Sequence, residues 1–232
     1  GGLVLEELSA LDSALTTPKK PVTAIIGGSK VSTKIELLQN LISKVENIII
    51  GGGMANTFLL ASGKQIGISL CEPTLIHIAQ GIIENAEVLG CKIHLPDDVV
   101  TSKTLDGVNK IRSSDVNSCP PDEMIFDCGE KSVEKYLNVI NLSKTIVWNG
   151  PLGVFEKEPF HLGTERLAKF IAKKTIDGFL NSVAGGGDTV AALNKYQLSH
   201  EMSYVSTAGG AFLEWLEGKK LPGLEVLEKK LN

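Results

Sequence analysis

Two lysines four residues apart, Lys30 and Lys34, follow directly on Gly27-Gly28-Ser29. On a helix that spacing places both ammonium groups on one face of the first turns. Like charges there repel one another and the positive helix end, and a bound polyphosphate would relieve the repulsion. The pair reads equally well as two lysines pointing to solvent. Asp188, after Gly185-Gly186-Gly187 and before Thr189, is either a first-turn carboxylate worth about 1 kcal/mol to its helix or a magnesium ligand with a hydroxyl beside it. Asn149 and Glu156 bracket a Pro-Leu-Gly-Val-Phe turn, where an acid could accept a ribose hydroxyl or simply face water. The four histidines (77, 94, 161, 200) share no metal-ligand spacing and read as structural.

Glycine supplies the wider pattern. Small-residue clusters occur at Gly27-Gly28-Ser29, Gly51-Gly52-Gly53, Asn149-Gly150-Pro151-Leu152-Gly153, Gly185-Gly186-Gly187-Asp188 and Ala208-Gly209-Gly210, each directly after an apolar run. A single cluster needs no more explanation than a tight turn. Five of them, if the apolar runs are parallel strands, share the sheet edge at which open α/β sheets bind ligands. Several precede expected helices, whose free N–H groups favour phosphate. An anion or nucleotide crevice is the reading that explains all five. Neither G-x-G-x-x-G nor G-x-x-x-x-G-K-[ST] occurs, which disfavours a nicotinamide-binding Rossmann site and a P-loop. An oxidoreductase would rest on fold class alone. Nor does a G-x-S-x-G elbow point to covalent catalysis.

The elements that must position these residues follow from periodicity. Leu5, Leu8, Leu11 and Leu15 predict a helix over 4–16, ended by Pro18 and Pro21. Apolar runs at 22–26, 47–50, 92–95, 145–148, 181–184 and 202–206 mostly alternate with amphipathic stretches such as 31–44, 72–89, 162–174 and 188–196. That alternation predicts a three-layer α/β/α, Rossmann-like domain around a mostly parallel sheet. Residues 97–129, polar and rich in Asp, Ser, Pro and Gly, predict loops or a small antiparallel excursion rather than a separate domain. Gly218 reads as a helix C-cap, with a short helix after Leu221-Pro222-Gly223.

Composition bounds the rest. The 232 residues, 43% hydrophobic and 22% charged, can bury a core, and no apolar stretch reaches membrane-spanning length. The net charge of −4 argues against sequence-independent nucleic-acid binding. Cys71, Cys91, Cys119 and Cys128 form neither a CxxC pair nor a zinc spacing, as expected of reduced cytoplasmic thiols. The opening GGLVLEELSA has acids where a secretory signal has basic residues, and no initiator Met. It reads as cut from something longer.

Taken together, GGSKVSTKIELLQNL (27–41), IIIGGGMANTFL (48–59), IVWNGPLGVFE (146–156), VAGGGDTVAAL (183–193) and YVSTAGGAFLEWLEGKKLPG (204–223) resemble the phosphoglycerate kinases. Their order and spacing match the C-terminal, nucleotide-binding domain of that family, over essentially the whole chain. The resemblance implies reversible phosphoryl transfer between ATP and 3-phosphoglycerate, with magnesium as the cofactor of ATP or ADP. It places Gly27, Gly28, Gly52 and Gly53 at the adenine end and Ile125 and Phe126 against the base. Pro151, Gly153 and Val154 line the pocket, Asn149 lies near the phosphates and Glu156 on the ribose. Lys30 would meet the α-phosphate and Lys34 the transferred phosphoryl group. Asp188 would hold Mg²⁺ beside Thr189, while Gly186, Gly187, Gly209 and Gly210 present helix-end N–H groups to the moving phosphoryl. Lys34, Gly187 and Gly210 are the implied catalytic positions. Ala208 stands where many relatives have glycine.

By the same resemblance, residues 1–17 follow an interdomain connector and 18–232 form the nucleotide domain. The substrate domain, with its basic patch and reaction-centre arginine, has no counterpart here. Only Arg112 and Arg166 are present, neither in a glycine cluster, although carboxylate and phosphate recognition favours Arg forks. The expectation is a cytoplasmic, monomeric chain that binds magnesium with ATP or ADP, reaches 3-phosphoglycerate only through the missing domain, and is inactive alone. The alternative is a nucleotide-binding or interaction module without kinase activity.

Overall fold

In the computed structural model, which describes residues 2–106 and 110–220, period-2 alternation sorts the strand residues onto two faces. Six strands form a wholly parallel sheet: β1 (Val22–Ile26), β2 (Asn47–Ile50), β3 (Lys92–His94), β7 (Thr145–Asn149), β8 (Asn181–Ala184) and β9 (Tyr204–Val205), in the order β3-β2-β1-β7-β8-β9. Ala24, Ile26, Ile48, Ile50, Val147 and Val183 pack to one side, under helices α1 (Gly2–Leu15), α2 (Ile35–Leu41), α3 (Gly53–Ala61), α4 (Ile76–Leu89) and α8 (Gly209–Leu216). Ile25, Ile49, Ile146, Trp148 and Ala184 pack to the other, under α5 (Glu130–Leu142), α6 (Leu162–Ile176) and α7 (Gly187–Lys195). Strands buried on both faces read as continuous apolar runs, which is why VTAII and NIII carry no polar alternation. This is the expected three-layer α/β/α domain.

Residues 97–129 hold the small antiparallel excursion: β4 (Asp98–Ser102) pairs with β5 (Arg112–Asp115) and with β6 (Met124–Cys128). The stretch 31–44 departs from expectation. Val31–Thr33 is a 3₁₀ turn, Lys34 sits at φ −124°, ψ 3°, and only Ile35–Leu41 is α-helical. Two β-branched residues and the Thr33 hydroxyl, which bonds Lys30 O at 3.0 Å, oppose α-helix there. Gly218 (φ +85°) ends α8 in a Schellman pattern: its N–H bonds Trp215 O and that of Lys219 bonds Glu214 O, both at 3.0 Å. The helix expected after Gly223 lies outside the described residues.

Candidate functional site

The chain runs β1-β2-β3 toward one edge of the sheet and then returns to lay β7-β8-β9 toward the other, so the order reverses between β1 and β7. Open α/β sheets bind at such a point, beyond the strand C-termini. The turns leaving these two strands are in backbone contact. Gly27 N donates to Asn149 O at 2.9 Å, and a Cβ on Gly27 would lie 1.9 Å from Pro151 O. Gly52, at φ +72°, lies against Gly28 in the same way. Only glycine lets these turns close on one another.

Two adjoining cavities open above this junction. The first, about 400 Å³, is an apolar slot walled by Met124, Ile125 and Phe126 of β6 on one side and Pro151, Gly153 and Val154 on the other, with the exposed Glu156 among its lining residues. Phe126 is backed by Phe160, ring centroids 4.9 Å apart, and Val154 N donates to Phe126 O at 2.9 Å. The second, about 230 Å³, is polar and lined by Gly27, Gly28, Lys34, Asn149 and Gly186 to Thr189. Gly28, Ser29, Pro151 and Asp188 border both. A flat aromatic group attached to an anionic tail fits this shape, with the ring in the slot and the charge over the polar floor.

The polar floor is a hydrogen-bonded unit. Asn149 donates through Nδ2 to Gly185 O at 2.9 Å and accepts the Lys34 ammonium at Oδ1. Thr189 Oγ1 accepts Gly150 N at 2.7 Å, tying the β7 turn to α7. Burial pushes the Lys34 pKa down, while the charges of Asp188 and Glu217 pull it back up. Asp188 stands exposed in the first turn of α7. Among the described residues no three His, Cys, Asp or Glu side chains cluster as a metal cage. An exposed carboxylate at the border of the polar cavity nonetheless fits Mg²⁺, which takes one or two protein carboxylates and fills its octahedron with water and phosphate oxygens.

The glycines divide into two kinds. Those at 27, 28, 52, 53, 153 and 186 have either a left-handed φ or protein atoms within 3 Å of a notional Cβ. Gly187, Gly209 and Gly210, at the first positions of α7 and α8, have neither: the space beside each is open. Nothing in the protein's own packing requires glycine at these three.

Of the residues that the resemblance assigns to the site, all but Lys30, Gly209 and Gly210 line one cavity or the other. Lys30 is extended (φ −135°, ψ 131°) and exposed, and its charge bears on Glu72. The expected pairing of Lys30 and Lys34 on one helix face is therefore corrected, because the 3₁₀ turn between them separates their directions. Gly209 and Gly210 head α8, whose Leu213 does reach the polar cavity. Ser29, Asn56, Leu70, Leu105, Met124 and Asp127 also line the slot. Ser29 and Asn56 lie within segments already singled out, whereas Leu105, Met124 and Asp127 become visible only when the stretch carrying the small antiparallel sheet is seen to form a wall.

Asp127 is a charge-bearing group that no motif flagged. It is 2% exposed, and burial drives its pKa up to about 7 against the opposing N–H bonds from Gly163 and Cys128. Of the four histidines, two are tied into the fold and His77 and His200 are exposed. His94 is buried, bonded through Nε2 to Asn47 Oδ1 at 2.9 Å, and desolvated to a pKa of about 4. His161 lies 3.4 Å from Glu165.

A family model described as phosphoglycerate kinase matches residues 1–219. A phosphoglycerate kinase of Zymomonas mobilis is 55% identical over 228 residues, covering 98% of this chain and 57% of the relative. The solved structure of phosphoglycerate kinase from Coxiella burnetii superposes with a TM-score of 0.93 at 48% identity, across 98% of this chain and 58% of that one. That from Pyrococcus horikoshii gives 0.81 at 29%, with 98% and 56% covered. The chain thus spans somewhat more than half the length of the relatives it matches.

Proposed function

The chain belongs to the phosphoglycerate kinase family, and from that premise we propose that its crevice binds magnesium with ATP or ADP as the nucleotide-holding part of a phosphoryl-transfer enzyme. The observation that carries the reading is the adjoining of an apolar slot to a polar floor at the point where strand order reverses. The base lies between Ile125 and Phe126 on one side and Val154 on the other, and Glu156 accepts a ribose hydroxyl. The phosphates extend over Gly186, Gly187 and Thr189 toward Lys34. Asp188 holds Mg²⁺, which when bound neutralises charge on the phosphate oxygens.

Phosphoryl transfer asks little covalent chemistry of a protein and much positioning and charge stabilisation. Lys34 suits that task. Its ammonium is anchored by Asn149 at one side of the floor, so a developing negative charge meets a cation already in place. Gly187, Gly209 and Gly210 leave helix N–H groups open to phosphate oxygens without a side chain between. The acceptor, 3-phosphoglycerate, is held elsewhere. Arg112 is paired with Glu123 at 2.9 Å and Arg166 with Glu134 at 2.6 Å, and neither borders the crevice. We infer that residues outside these 232 supply the acceptor site, and that this chain alone binds nucleotide without turning over.

Calorimetric titration with Mg-ADP, with NAD as control, tests the proposal. Saturable ADP binding that is weakened in Lys34→Ala/Asp188→Ala and absent for NAD supports it. A folded chain that binds neither overturns the nucleotide reading, and robust turnover without further protein overturns the inactivity.

A further inference from the structure

The two walls of the apolar slot come from segments of different parentage, joined at the slot by the Val154 N–H on Phe126 O and by the Phe126–Phe160 ring contact. One is β6, in the small antiparallel sheet; the other is the loop from Gly150 to His161, which belongs to the parallel sheet. Between them lies the Asp127 carboxylate. Oδ1 accepts the N–H of Cys128, in β6, at 2.9 Å. Oδ2 accepts the N–H of Gly163, where the loop enters α6, at 2.9 Å. A Cβ on Gly153 would come within 2.6 Å of Oδ1, and one on Gly163 within 2.7 Å, so the carboxylate fills the gap that these two glycines leave.

Neither partner of Asp127 is a cation, and a buried carboxylate without one costs the fold more than an apolar side chain would. Its raised pKa expresses the same cost. The Cys128 bond is to the next residue of the same strand and orients the carboxylate; what an apolar residue could not do is accept the Gly163 N–H from α6, the bond that crosses between segments. Resting on the nucleotide reading of the crevice, we propose that Asp127 is a positioning residue of the base pocket, its carboxylate fastening the loop that carries Pro151, Gly153, Val154 and Glu156 to the strand that carries Ile125 and Phe126. It sets the width of the slot and leaves the phosphate floor, built on β1, β7 and α7, untouched.

Asp127→Asn keeps the shape but turns one acceptor into a donor facing an N–H. Affinities of the unmodified chain and of the variant are measured for Mg-ADP and for inorganic tripolyphosphate with magnesium, which uses the floor and not the slot. The expected result is about tenfold weaker ADP binding, the worth of one lost hydrogen bond, with tripolyphosphate unchanged. Equal ADP affinity in the two proteins overturns the proposal. So does an equal loss for both ligands, which marks a general structural role. Amide exchange on the unmodified chain gives a second test that does not depend on the variant folding. ADP but not tripolyphosphate should protect the Val154 and Gly163 amides, and no difference between the ligands refutes the clamp. If the unmodified chain binds tripolyphosphate but not ADP, the base-pocket reading itself fails and the clamp with it.

Discussion

Replacing Gly187 by alanine separates what the fold needs from what a ligand needs. A Cβ there meets no heavy atom within 4 Å, and Gly187 has no left-handed φ. With no strain to oppose it, alanine stabilises by restricting the unfolded chain, by about 0.4–1 kcal/mol. For a chain of this size that raises Tm by about 1–4 °C. The same methyl projects from the first position of α7 into the polar cavity. There it holds a phosphate oxygen away from the helix N–H groups, and one charge-assisted hydrogen bond is lost. That costs about 1.5–3 kcal/mol, or roughly ten- to hundredfold in Mg-ADP affinity. Thermal unfolding without ligand and calorimetry with Mg-ADP, on the same preparation, read both numbers. Gly27→Ala is the contrast: its Cβ would sit 1.9 Å from Pro151 O, and the turn must open, at a cost of about 1–3 kcal/mol or more. A Gly187→Ala protein that melts lower than the parent, or one that binds Mg-ADP as well as the parent, refutes the assignment of this glycine to phosphate contact.

Other substitutions probe the remaining parts of the crevice. Lys34→Met should leave stability nearly unchanged, because the lost bond to Asn149 is offset by relief of a desolvated charge; Mg-ATP affinity should fall at least about tenfold while adenosine binding stays, as competition titrations would show. Asp188→Asn should make nucleotide affinity nearly independent of magnesium, and an undiminished magnesium effect would remove Asp188 as the ligand. Asp127 predicts a pH dependence of stability. Its folded pKa is raised from 3.8 to about 7, so the folded state favours the protonated form; that contribution is complete below pH about 4 and is lost as pH rises through 7. Urea unfolding at pH 5 and pH 8 should show the parent losing about 2–3 kcal/mol more than Asp127→Asn across that interval, and parallel profiles would contradict it.

The parallel sheet was legible because buried strands such as VTAII and IVW carry no competing pattern, and each ends at a glycine cluster. Helix limits were less so. The stretch 31–44 has helical apolar spacing, yet its first residues form a 3₁₀ turn because the Thr33 hydroxyl and two β-branched side chains act locally where periodicity averages. The glycine clusters and Asp188 point from sequence to the polar cavity, whereas the four-residue spacing of Lys30 and Lys34 misleads, since only Lys34 lines it. Ile125 and Phe126 could be assigned only through family resemblance, since strand β6 lies in a polar, turn-rich stretch whose pairing with β4 is set by tertiary contact. Asp127 was invisible for a simpler reason. A carboxylate acting on Gly163, thirty-six residues away, leaves no spacing to detect.

The order of the central strands also governs how the molecule is made. β1 and β7 lie side by side, and the Thr23 and Ser143 hydroxyls meet at 2.7 Å across 120 residues of chain. A nascent chain emerging from the amino end holds β1, β2 and β3 long before β7 exists, with the inner edge of β1 unpaired. Such an edge invites pairing with other chains, and closing it requires the non-local contact that slows folding most. The crevice floor combines turns from both sides of that late seam, Gly27 and Gly28 after β1 with Asn149 and Gly150 after β7, so no half-built molecule offers a site. A ligand that binds there draws only on finished molecules, and by mass action it pulls the population toward them.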